Sequence, residues 1–313
     1  MSLHDDWRPT CSVTALRARA KLLAQTRAFF AERDVIEVQT PTLGRTSVTE
    51  PQIESLRTQC GAFLQTSPEH YMKRLLAAGA PSIYQLGPVY RAGESGRLHQ
   101  EEFTMLEWYR LGFDDQALMA EVSDLIDRLL GPASYERMTY ESLVGTVHGE
   151  PAELDLAYAE AVGALGSVRC FVTDYPANQA ALARVRGDGG QFRGDNGHFR
   201  GDNGHFRGDN GHFRGDNADD ARAARFELII DGVEIANGYH ELTDAVELGA
   251  RMARDNQQRL DARREPMAPD ERLLAAMEAG LPECAGVAIG VDRLVMLVMG
   301  ASSLAEVVPF ADR

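Results

Sequence analysis

The sequence predicts an α+β fold in which an antiparallel sheet is flanked by helices. Two strand-like runs, Ile83 to Arg91 and Glu102 to Tyr109, flank a polar loop containing Gly93 and Gly96, which predicts an antiparallel pair. A second pair, Phe226 to Ile230 and Val233 to Tyr239, is joined by Asp231-Gly232, a dipeptide favoured in two-residue hairpin turns. Between the pairs, Leu118, Val122, Leu125, Ile126 and Leu129 recur at helical spacing.

Composition bounds the function. At 313 residues and 44% apolar, the chain can bury a large core. The net charge of −15 comes from 47 acidic against 32 basic residues, and Lys21 and Lys73 are the only lysines. That balance argues against a broad nucleic-acid surface, which needs a basic stripe. Cys11, Cys60, Cys170 and Cys284 are scattered without Cys-x-x-Cys spacing, so neither a zinc site nor a disulfide framework is indicated. No apolar segment is long enough to span a bilayer, and the N-terminus lacks a signal-peptide pattern; a cytoplasmic protein is expected.

In chain order, Ser12 or Thr14 caps a helix running to about Arg33, and Val35, Ile36 and Val38 form a short strand stopped at Pro41. Phe63 to Thr66 reads as a strand entering a helix, with Ser67 at the N-cap and Pro68 at the first helical position. In the run after the central loop, alternation puts Phe103, Met105, Glu107 and Tyr109 on one face and Glu102, Thr104, Leu106 and Trp108 on the other. A carboxylate on such an apolar face costs several kcal/mol unless paired, so Glu107 awaits a cation. Arg91 closes the preceding strand with a permanent positive charge. The helix through Leu129 closes at Gly131-Pro132, and residues 139–186 mix helical stretches with a strand at Phe171 to Thr173.

From Gly194 to Arg214 the chain repeats Gly-Asp-Asn-Gly-His-Phe-Arg three times, with a degenerate copy before it and a partial one after, over residues 187–217. Two glycines and one apolar residue per repeat rule out a coiled coil. The segment is expected to be an expanded surface loop that interrupts the domain without dividing it. His198, His205 and His212 within it have no converging scaffold. Beyond the second hairpin, 244–264 is expected to be a polar, solvated helix. Asp270 caps another helix ending at Gly280. Gly286-Val-Ala-Ile-Gly290-Val-Asp-Arg293 is then an apolar strand turning at a glycine into a helix.

The run Tyr90-Arg91, His99, Glu102-Phe103-Thr104-Met105, Glu107 resembles the second signature motif of class II aminoacyl-tRNA synthetases in its lysyl form. The helix, strand and proline near the N-terminus resemble the first motif, and Gly286 to Arg293 the third. The nearest likeness is to the truncated lysyl-tRNA synthetase paralogues that attach β-lysine to elongation factor P. It extends over nearly the whole chain apart from the repeats, and implies one class II catalytic domain over residues 1–313. Only Met1 to Thr10 precede the first motif, so no anticodon-binding barrel is expected and tRNA binding is disfavoured.

The resemblance implies the site. Arg91 and Arg293 would be catalytic, and Ala92, Gly93, Glu94, His99, Gln100, Phe103, Glu234, Ile235 and Gly290 would join them around ATP. Ser67, Pro68, Glu69, Glu107, Tyr109, Glu241 and Ala288 would line the amino-acid pocket, with Glu69 and Glu241 on one amine and Glu107 and Tyr109 on the other. Glu234 and Glu241 would hold Mg²⁺, which prefers hard carboxylate oxygens when it bridges phosphates. The first motif implies a homodimer. Ala92, Gly93 and Gln100 depart from the motif, and Ala288 stands where the synthetases have glycine, a change that fits a β-amino acid. The implied reaction is activation of lysine or (R)-β-lysine and its transfer to a lysine of elongation factor P. Alternatives are a lysyl-tRNA synthetase-like enzyme charging tRNA or a small acceptor, and a non-catalytic regulatory paralogue.

Overall fold

In a computed structural model the described residues are 7–186 and 221–311, and the repeats lie outside them. A nine-stranded sheet carries the molecule. Its strands are β1 (Ile36–Glu37), β4 (Ile83–Tyr90), β5 (Glu102–Leu111), β6 (Glu136–Thr139), β7 (Arg169–Pro176), β8 (Val185–Arg186), β9 (Arg222–Ile230), β10 (Val233–His240) and β11 (Cys284–Gly290). The order is β1-β4-β5-β11-β10-β9-β7-β6, with β8 also paired to β9. The middle is antiparallel, as expected, but both edges are parallel: β1 with β4 and β6 with β7. A separate antiparallel pair joins β2 (Leu43–Gly44) to β3 (Phe63–Leu64).

The helices follow their signals closely. α1 (Val13–Ala31) starts at Ser12, whose side chain accepts from the Ala15 N–H, and α3 (Asp115–Leu130) starts at Asp114 in the same way and closes at Gly131. α2 (Glu69–Ala77) begins one residue later than expected, with Pro68 at the cap and no side-chain cap bond. Ser67 is instead turned toward β5, as described below. α4 (Tyr140–Val144) and α5 (Pro151–Ala164) precede β7. The Asp231-Gly232 turn has φ of 51° and 73°, the doubly left-handed geometry that matches strand twist.

One core packs α1 and α3 against the sheet through Phe30, Tyr84, Leu106, Trp108, Val122 and Phe226. A second lies under α2, α6 (Ala245–Asp261) and α7 (Glu271–Gly280). The expectation that 244–264 is solvated needs correcting. Leu248 and Met252 of α6 are buried, and the Arg259 side chain is 1% exposed. Its guanidinium donates to the carbonyls of Glu50 and Ile53 at 3.2 and 3.3 Å and to Glu54 Oε2 at 2.7 Å. A charge with its donors satisfied can be buried, and here it fixes the segment that covers the site. All four cysteines are free. Among the described residues no helix is long and apolar enough to cross a membrane.

Candidate active site

A cavity of about 360 Å³ lies on the face of the sheet opposite the α1–α3 core. The alternation of β5 sends Leu106 and Trp108 into that core and Phe103, Met105, Glu107 and Tyr109 into the cavity wall.

At one end the wall is acidic. Glu107 is 3% exposed, and both its oxygens are held by neutral donors: Ser67 Oγ donates to Oε2 at 2.8 Å, and the Tyr109 hydroxyl donates to Oε1 at 2.8 Å. Ser67 Oγ also accepts from the Glu69 N–H at 3.0 Å, so the start of α2 positions the serine. Burial, then the nearby charge of Glu69, pushes the Glu107 carboxyl up to about 8. Burial likewise pushes the Tyr109 phenol well above its ordinary value. Glu69 and Glu241 complete this end, each 2.6 Å from Lys73 Nζ. Burial raises Glu241 to about 7, with Lys73 pulling the other way. Gly286 on β11 lets these groups converge, because a Cβ there would lie 2.5 Å from Glu241 Oε1 and inside the Tyr109 ring contact.

The other end is cationic. Arg91 lies beside the Phe103 ring, its guanidinium carbon 5.2 Å from the centroid, and is 3.6 Å from Glu94. Arg293 stands in the first turn of α8 (Val291–Met299), directly after the Gly290 cap. It donates to the Glu234 carbonyl at 2.7 Å and the Leu98 carbonyl at 3.3 Å, and its Nη2 is 2.9 Å from His99 Nε2. A guanidinium can only donate, so His99 Nε2 accepts and the imidazole is neutral. Burial and the Arg293 charge both lower the His99 pKa, in agreement. Asp292 Oδ2 accepts from the Thr104 N–H at 2.8 Å and ties this turn to β5. Gln100, Ile235 and Ala288 also face the cavity, whereas Pro68, Ala92 and Gly93 lie off its wall. The Ala92 N–H donates to the Glu54 carbonyl and the Gly93 N–H to Glu101 Oε1, so these two serve the loop's backbone.

Comparison with known proteins identifies the family. A family model described as tRNA synthetases class II (D, K and N) matches residues 4–313. The chain is 39% identical to the elongation factor P–(R)-beta-lysine ligase of Vibrio cholerae, with 98% of each chain covered. The proteins of that name from Photorhabdus laumondii and Pectobacterium carotovorum are 38% and 40% identical, with 99% of each chain covered. The chain belongs to the class II tRNA synthetase family.

Both carboxylates expected to hold Mg²⁺, Glu234 and Glu241, lie on the cavity wall. On a regular strand a spacing of seven would put Glu234 and Glu241 on opposite faces. A register shift between Glu234 and Ala236 returns both to the cavity side, but at opposite ends of β10. A further carboxylate beside Glu234 is Glu227, which sequence reasoning missed. Glu234 pairs with Ile229 across the hairpin, and Glu227 lies two residues along on the same face, also on the cavity wall. Burial and then the Glu234 charge raise the Glu227 pKa, the mark of two carboxylates that want a cation. At present Arg225 pairs with Glu227 at 2.6 Å and Arg293 stands 3.6 Å from Glu234. The signal was available, since counting outward from the Asp-Gly turn sets the register of β9 against β10. Lys73 was also missed, having been counted only as one of two lysines.

Proposed function

We propose that this protein uses ATP to activate lysine or (R)-β-lysine and transfers the aminoacyl group to a lysine side chain of elongation factor P. The observation that carries the reading is the polarity of one cavity: Glu69, Glu107 and Glu241 at one end, Arg91 and Arg293 at the other. A diamino acid fits it in one direction, amines to the acids and carboxylate to Arg91. A neutral side chain entering there would leave buried carboxylates unpaired, a mismatch that discriminates by roughly 10⁴-fold or more.

In the first step a substrate carboxylate oxygen attacks the α-phosphorus, the bond to the β-phosphate oxygen breaks, and pyrophosphate leaves. Such transfers depend on positioning and charge stabilisation. Arg91 bridges the carboxylate and α-phosphate, Arg293 and His99 meet the outer phosphates, and Phe103 stacks on adenine. Glu234, Glu241 and Glu227 are the carboxylates of the cavity wall that would hold Mg²⁺, an ion suited to binding through one or two carboxylates. The ion would neutralise phosphate charge. In the second step the acceptor amine attacks the acyl carbon, AMP leaves, an amide forms and a proton is lost.

The names of the relatives support this acceptor and substrate. The reading places the enzyme in the cytoplasm, where its acceptor works. It keeps 1–313 as one catalytic domain, supported by β8 and β9 pairing on either side of the repeats. It includes a homodimer through the first motif, supported by Ile36, half exposed on edge strand β1. The test is amino-acid-dependent ATP–pyrophosphate exchange, followed by offering the adenylate to elongation factor P and to tRNA. Exchange with lysine or β-lysine and transfer to the protein alone support the reading. Transfer to tRNA favours a synthetase-like enzyme, and absence of exchange favours a non-catalytic paralogue.

A further inference from the structure

Lys73 is one of two lysines in the chain and its side chain is 2% exposed, yet it does not line the cavity. It sits behind the acidic wall. One helical turn after Glu69, its Nζ is 2.6 Å from Glu69 Oε1 and 2.6 Å from Glu241 Oε2. The third carboxylate, Glu107, is held by the uncharged Ser67 and Tyr109 hydroxyls. Thus three carboxylates face the substrate and one internal ammonium is wedged among them. Fully ionised, the acidic end carries a net charge of −2, which equals and opposes the two ammonium groups of a diamino acid.

We infer that Lys73 is a specificity-determining positioning residue: it permanently fills one of three cation places between the acids, so that the pocket accepts a substrate bearing two amines. The inference rests on the amino-acid pocket proposed above and deepens it. Lys73 touches no substrate atom. It orients Glu69 and Glu241 and sets how much negative charge remains for the ligand. The groups facing Glu241 are Lys73 and Glu69 from α2, Glu107 and Tyr109 from β5, Cys284 from β11 and Arg184 ahead of β8. Lys73 is the nearest cation among them.

The experiment is a double-mutant cycle of Lys73→Met and Glu241→Gln, read as KM for L-lysine and (R)-β-lysine in ATP–pyrophosphate exchange. Counted fully ionised, Lys73→Met takes the acidic end from −2 to −3; its lysine KM should rise at least tenfold and KM for ATP should stay within twofold. In the Glu241→Gln background, which stands at −1, removing Lys73 restores −2 and should lower the lysine KM. That reversal of sign is the signature of charge counting. A merely structural lysine would worsen both backgrounds, and that result overturns the inference. Should Lys73→Met alone fail to fold, judged by thermal melting, the comparison of Glu241→Gln with the double variant still decides. Diamino-acid-dependent exchange by the unmodified enzyme is the separate check on the underlying reading. Its absence sinks that reading, whereas its presence with same-sign effects of Lys73→Met sinks this inference alone.

Discussion

Gly286→Ala is the smallest change that probes the acidic end of the cavity. Gly286 pairs with Tyr109 on β5 and Tyr239 on β10, and its missing side chain is the space into which the Tyr109 ring and Glu241 Oε1 project. A Cβ would stand 2.5 Å from that oxygen, well inside van der Waals contact, and both groups it meets are buried and cannot swing aside. Overpacking by one methyl in a close-packed interior costs about 1–3 kcal/mol, and each kcal/mol lowers Tm by about 2–4 °C in a domain of roughly this size. Because Tyr109 holds Glu107 and Glu241 is held by Lys73, the displacement falls on the amine-binding groups. KM for lysine should rise by about tenfold or more, since a 1 Å misplacement can cost about 10²-fold, with KM for ATP little changed. Gly290→Ala is the control for the fold: its Cβ would meet Arg293 Cδ at 3.7 Å and Cγ at 3.9 Å, ordinary contacts, so Tm should stay near that of the parent. Thermal melting and pyrophosphate exchange with each substrate varied in turn measure both. A Gly286→Ala protein with parental Tm and lysine KM would refute the crowding argument.

The raised Glu107 carboxyl, at about 8, holds its proton at neutral pH in the empty pocket, and a substrate ammonium must displace it. Lysine binding at pH 7 should therefore release protons and tighten as pH rises toward 8, measured by calorimetry in buffers of different ionisation enthalpy; pH-independent binding would contradict this. Its folded pKa lies above the ordinary 4.5, so the folded state binds the extra proton, and ligand-free stability should fall as pH rises between those values; Glu107→Gln should flatten that dependence. Arg91→Ala should cut exchange by about 10²–10³-fold, the scale for losing one preorganised charge donor. Phe103→Ala should raise KM for ATP by a stacking contribution of about 1–3 kcal/mol, while KM for lysine stays near that of the parent. Asp270 caps α7 through the Arg272 and Leu273 N–H groups and lies 3.4 Å from His70; although burial opposes it, these partners pull its carboxyl down to about 2. Its stabilisation is complete above the ordinary value of 3.8 and lost as pH falls through 2, and Asp270→Asn should weaken this acid dependence in thermal melts.

Much of the site was legible because it rides on strict alternation. The cavity face of β5 follows from its period of two, and Arg293 from the glycine that turns β11 into α8. What stayed hidden depends on contacts between elements. The bulge beside Ile235 is invisible in a string of residues, and without it Glu234 and Glu241 cannot both face the cavity. Glu227 reads as one polar residue in a buried strand until the hairpin register sets it beside Glu234. Arg259 looks like a solvated helix charge until the carbonyls of Glu50 and Ile53 are brought to it. The parallel edge pairings lack any local cue: β1 spans two residues, and its partner β4 begins at Ile83.

Mass spectrometry of elongation factor P after incubation with this protein, ATP and (R)-β-lysine addresses the central claim most directly. The account predicts a gain of one lysyl unit on a single lysine, formed about 10²–10³-fold more slowly when Arg91 is alanine. An acceptor whose mass is unchanged while the enzyme still supports lysine-dependent pyrophosphate exchange would contradict it.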